Sequence, residues 1–131
     1  MRTHKRLTWL RRILAVKAVL SLFVWGLPAL LAPMSLFQLL GVPTPDDPVF
    51  ARLFGAVAIG IGVAYWYAFK DPVHNVAILK AGVVDNGLVT LVIIVLTAFS
   101  GLRSVFMWAS ALLTLVFCIS FVLLMPRTEA A

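Results

Sequence analysis

The chain has 131 residues, of which 63% are hydrophobic and 12% charged, and it carries a net charge of +6. That composition excludes an ordinary soluble domain, and the length leaves no room for a soluble catalytic domain beside the apolar runs. His4, His74 and the single Cys118 form no Ser/His/Asp arrangement, no metal-ligand spacing and no disulfide framework, so we expect no catalytic residue, no metal and no cofactor.

Arg2, Lys5, Arg6, Arg11 and Arg12 come first, and four long apolar runs follow. The runs are Ile13–Ala32, Val49–Phe69, Val76–Phe99 and Val105–Met125, with 20, 21, 24 and 21 residues. A helix of about 20 apolar residues spans a bilayer. This predicts an all-α fold: one integral membrane domain over 1–131, a bundle of four transmembrane helices spanning 13–32, 49–69, 76–99 and 105–125. The first run is too long for the apolar core of a signal peptide, and no A-x-A site follows it. Placing the N-terminus inside puts Arg2, Lys5, Arg6, Arg11, Arg12, Lys17, Lys70, Lys80 and Arg127 on the inner side, against Arg52 and Arg103 outside. The bias predicts both termini in the cytoplasm. Arg11 and Arg12 are then expected to meet anionic lipid headgroups at about 1 kcal/mol each, with Arg52 reaching a headgroup on the other side. The positive charge therefore implies membrane lipids and no nucleic acid.

From Ile13 to Val42 the sequence is almost wholly apolar, about 45 Å as one helix. Gly26, Pro28 and Pro33 offer a break, so the first span should bend near Pro28 and end at Ala32. Met34–Leu40 should then lie as a short interfacial helix, stopped by Gly41 and Pro43. A tilted continuous helix is the alternative, and it would carry Pro33 inside it. Asp47-Pro48 and Asp71-Pro72 open the second and third spans, with aspartate capping free N–H groups and proline taking the first helical position. Ser100–Ser104 is a tight turn that makes the last two spans a hairpin. Trp9, Trp25, Trp66, Tyr67 and Trp108 fall mostly near span ends, as interfacial anchors do.

In the second span Ala56, Gly60, Ala64 and Ala68 recur every four residues, and Ala51 with Gly55 makes a second pair. Such rows let helix backbones approach closely. The expected use is packing within the protein's own bundle, with a partner or self-association interface as the alternative. The third span carries Asp85 and Asn86. Asp85 lies nine residues past Val76, about 14 Å into the membrane, so it should face the bundle or a wet cavity, find a cation, or stay protonated. Lys17 is on the correct side but about 8 Å shallower. Ala77, Ala81 and Asp85 share a face expected to meet a close neighbour. Gly82, Asn86, Thr90 and Thr97 make a polar stripe, answered in the fourth span by Ser110, Thr114 and Cys118. Depth pairs Thr90 with Thr114 and Asn86 with Cys118.

Arg52-x-x-Gly55, then Gly60-x-Gly62 and the charged turn Lys70-Asp71-Pro72, resembles the second span of small bacterial four-helix proteins of the DoxX-like group. The resemblance implies a four-helix bundle; some such proteins are similar to accessory subunits of membrane redox systems. It transfers no catalytic residue. Three functions follow as expectations. The first is a non-catalytic accessory or assembly subunit of a larger membrane complex, in keeping with tiny loops and glycine-lined faces. The second is a small proton-coupled transporter centred on Asp85. The third is a lipid- or quinone-binding protein, or a lipid-modifying enzyme, using space near Asp85, Asn86 and Thr90. The short loops and absence of an organelle signal point to a prokaryotic inner membrane.

Overall fold

Pro28 has no N–H to donate, and its ring presses on the carbonyl four residues back. In the computed structural model, which describes residues 2–44, 46–101 and 103–126, the chain meets this by widening rather than breaking. Helix α1 (Arg2–Val19) runs into π-helical turns over Leu20–Gly26 and then into α2 (Leu27–Leu31). Leu27 N–H bonds to Leu22 O, five residues back, so the wider turns relieve the crowding at Pro28. The break comes at Ala32 and Pro33, both extended, with ψ of 148° and 151°. The continuous helix through Pro33 is therefore not formed.

Helix α3 (Met34–Leu39) follows, one residue shorter than expected, and Gly41 ends it with a φ of +67°. Helices α4 (Val49–Lys70), α5 (Val76–Ser100) and α6 (Val105–Leu124) match the other three apolar runs within one residue at each end. The two Asp-Pro signals work differently from expectation. Asp47 Oδ1 accepts from Val49 N–H at 2.9 Å, but Pro48 stands just before the helix, not in it. Asp71 braces a separate turn: its carboxylate accepts the His74 N–H at 3.2 Å and meets His74 Nδ1 at 2.7 Å. The backbone bond, then the ring contact and its charge, hold the Asp71 carboxyl below the usual range, and α5 starts only at Val76. Arg127, Pro45 of the loop before α4 and Leu102 of the hairpin turn lie outside the described residues.

No strand occurs among the described residues, and the continuous segment His4–Leu31 together with α4, α5 and α6 are each long and apolar enough to cross a membrane. Between 22% and 33% of each span is buried inside the molecule. The outward faces are apolar too, as with Phe50, Leu112 and Val122, so the bundle's solvent is hydrocarbon. Helix α1 packs along α4, and α5 along α6, while α1 also touches α6. Consecutive α4 and α5 barely meet. The core is consequently lopsided: Leu10, Leu14, Tyr65, Leu79, Phe117 and Phe121 fill the end where the chain begins.

Small residues set the tight crossings. A Cβ on Gly55 would stand 2.4 Å from Leu30 N and 2.8 Å from Ala29 C, so α4 lies directly on the backbone of α2. The buried row of α4 is Gly55, Ala58, Gly62, Tyr65 and Ala68. The expected row packs only in part: Ala68, and Gly55 of the second pair, are buried, whereas Ala56 and Gly60 are exposed and Ala64 half-buried, and a Cβ on Gly60 would meet nothing within 4 Å. Arg52 also turns inward. Its Nη1 donates to Ala29 O at 3.1 Å, the carbonyl that a non-proline residue at 33 would have satisfied within the helix.

Candidate functional site

The separation of α4 from α5 leaves a cavity of about 610 Å³ between the two helix pairs. It runs from Lys17 and Asp85 at one end to Met34, Leu40 and Phe106 near α3 at the other. Its walls are largely aliphatic and aromatic. Phe54 and Val57 of α4, with Leu88 and Val92 of α5, line it and are more than half exposed, so it opens sideways between those helices.

Lys17 is only 4% exposed. Its Nζ lies 4.8 Å from the Trp25 ring centroid, 5.0 Å from Phe117 and 5.6 Å from Tyr65. Trp25 reaches it because of the π turns. At 100° per residue, eight α-helical residues would leave Trp25 about 80° round from Lys17; wider turns advance less per residue and bring the two onto one face. A desolvated ammonium over a ring gains about 2 kcal/mol, which helps hold a cation in this position. Trp25 is thus an internal residue, not an interfacial anchor, and its Nε1 donates to Ser110 Oγ at 3.1 Å. Trp9, Trp66, Tyr67 and Trp108 do face outward.

Asp85 is half-buried and lines the same end of the cavity. The face it was expected to share with close neighbours is open: Ala77 and Ala81 are exposed. No ion pair joins Asp85 to Lys17 within 4.0 Å; the one pair among the described residues is His74–Asp71. Asn86 is fully buried and belongs to the wall behind. Its Nδ2 donates to Tyr65 Oη at 3.0 Å and to Gly82 O at 2.6 Å, while its Oδ1 has no partner. It therefore binds α5 to α4 rather than meeting Cys118, whose Sγ instead lies 3.5 Å from Val83 O. Thr90 and Thr114 meet across the hairpin at 2.7 Å, and Thr90 also donates to Asn86 O at 2.8 Å.

Lys17, Asp85 and the Thr114 side of the polar stripe come together at the cavity, whereas Asn86 and Thr90 support it from within the bundle. Arg11 and Arg12 are exposed on α1, Arg12 stacked 5.3 Å from Trp9. Tyr65 reads in the sequence as an ordinary span residue and was not singled out; Trp25 was expected as an interfacial anchor and Ser110 in the polar stripe facing α5, so their contact with each other was missed. The spacing of Lys17 to Trp25, corrected for Pro28, was the available signal. No group of three His, Cys, Asp or Glu side chains able to hold a metal occurs among the described residues. No protein-family model matches the chain, and no curated protein or solved structure shows significant similarity to it.

Proposed function

We propose that this protein is a membrane-embedded binding protein, with no catalytic chemistry of its own, that holds an apolar small molecule such as a lipid or quinone between its two helix pairs. The cavity carries this reading. Its volume is within the range of small-molecule sites, about 300–1,000 Å³, and an apolar wall with few convergent polar groups is how such sites are built. The opening between α4 and α5 faces the side where acyl chains would lie, so a molecule dissolved in the bilayer reaches it without crossing water. The basic residues of α1 support a reading with both termini in the cytoplasm, which would put α3 in the outer interface of a prokaryotic inner membrane.

The test is extraction in native lipid discs followed by mass spectrometry of the retained small molecules. A species enriched over the bulk membrane supports the reading; bulk lipids in bulk proportions count against it. Ala58 lines the cavity and is 7% exposed. Ala58→Phe should fill the space and cut retention about tenfold, or 1.4 kcal/mol, with helix content unchanged.

A second reading, an accessory or assembly subunit, draws on Ala56 and Gly60. Both are exposed, and a Cβ on Gly60 would meet nothing within 4 Å, as on a surface for another transmembrane helix, and the DoxX-like resemblance runs the same way. Other subunits in fixed stoichiometry in the same native spectra would favour it.

A further inference from the structure

The two charged residues at the end of the cavity carry an inference about what the ligand's head must be, and it rests on the binding function proposed above. Lys17 is buried, lines the cavity, and makes no hydrogen bond or ion pair among the described residues. Its Nζ lies 4.8–5.6 Å from the ring centroids of Trp25, Phe117 and Tyr65, and none of these contacts is a conventional hydrogen bond for its three N–H donors. Asp85 lines the same end, likewise without a hydrogen-bond partner among the described residues, and the pair do not close on each other within 4.0 Å. A donor-only group and an acceptor group thus face one space with their valences unused. Leaving such groups unpaired away from water is costly.

Depth narrows the choice. Tyr65 lies five residues before the end of α4, Phe117 seven before the end of α6, and Asp85 nine after the start of α5. That sets the polar end about 8–14 Å inside the spans, while the rest of the cavity runs toward α3. A bilayer phospholipid instead keeps its head at the surface, shallower than this polar end. Drawing a large charged head to this depth would be strongly unfavourable. A neutral head that both accepts and donates fits: its oxygen accepts from Lys17, and its proton goes to the Asp85 carboxylate.

We infer that the cavity takes a single-chain apolar molecule with one neutral O–H head group, seated between Lys17 and Asp85, its tail directed toward α3. The O–H is the selected feature. A molecule of the same length without it leaves Asp85 unpaired, and sites built to hydrogen-bond a hydroxyl reject the analogue that lacks one.

The experiment uses the full chain in phosphatidylcholine nanodiscs, with hexadecan-1-ol and its methyl ether as competing probes, counted on the protein by native mass spectrometry. The alcohol should outcompete the ether by about tenfold or more. Asp85→Ala should bring the ratio close to one, and Lys17→Met should weaken both probes, since each uses its oxygen as acceptor. The wild-type ratio stands without either variant, and circular dichroism reports whether each variant keeps its helices. Equal binding of alcohol and ether would overturn the inference and leave an apolar binding protein indifferent to the head. Binding of neither probe would also overturn the inference, while a species enriched in the native lipid discs would still uphold the proposed function.

Discussion

Gly82 and Tyr65 show how closely single residues determine the wall behind the cavity. A Cβ on Gly82 would stand 2.6 Å from Tyr65 Oη and 3.0 Å from Phe121 Cε2, while Tyr65 Oη accepts from Asn86. Gly82→Ala should therefore cost about 1–3 kcal/mol by overpacking. Tyr65→Phe should cost about 0.6–1.7 kcal/mol, since Asn86 loses an acceptor within the membrane. The double variant should cost less than the sum, because the hydroxyl that the new methyl meets is gone. Reversible unfolding in mixed micelles measures all three, and strict additivity would show that the methyl meets something else. At this scale the sequence was partly legible. Intramembrane Lys, Asp and Asn stand out because hydrocarbon penalises them, so Lys17, Asp85 and Asn86 could be named. Their partners could not. Counting depth along one hairpin paired Asn86 with Cys118 and had no means of bringing α4 and its Tyr65 into the comparison.

At the scale of elements, two glycines five residues apart behave oppositely. Gly55 meets the backbone of α2, whose atoms cannot swing away, and Gly60 meets open space. Gly55→Ala should cost about 3 kcal/mol. Gly60→Ala should change stability by no more than about 1 kcal/mol, in the favourable direction, through helix propensity. The same unfolding assay reads both, and equal penalties would place Gly60 inside the packed bundle after all. Sequence could show that α4 has small residues on more than one face but could not say which face is covered. That depends on where α2 crosses, which follows from the break at Pro33 and the π turns before Pro28. The four spans were legible because length and apolarity against a fixed bilayer thickness leave few alternatives. The bond of Arg52 to α2 was not legible for a related reason. Its partner, Ala29 O, is freed only because residue 33 is a proline.

For the molecule as a whole, the division into two helix pairs matters most, because it creates the cavity and leaves α3 to close one end. The closure rests on one side chain. Ser104 is 3% exposed and donates to Leu40 O at 2.6 Å, and its oxygen accepts from Met107 N–H at 3.3 Å. It thereby caps α6 and ties the C-terminal end of α3 to the hairpin turn, beside Gly41, whose Cβ would stand 3.5 Å from its own. A six-residue helix is too short to persist alone, so α3 keeps its shape through attachments of this kind. Ser104→Ala should remove about 1 kcal/mol as a lost cap and should also free α3. Hydrogen exchange followed by mass spectrometry should then show faster exchange over Met34–Gly41 and at the start of α6, with α1, α4 and α5 unchanged. The cavity would lose its cover without losing its walls, so a bound molecule should leave faster while the four spans stay intact. Unchanged exchange at α3 would mean that the apolar side chains of the segment hold it in place without the serine.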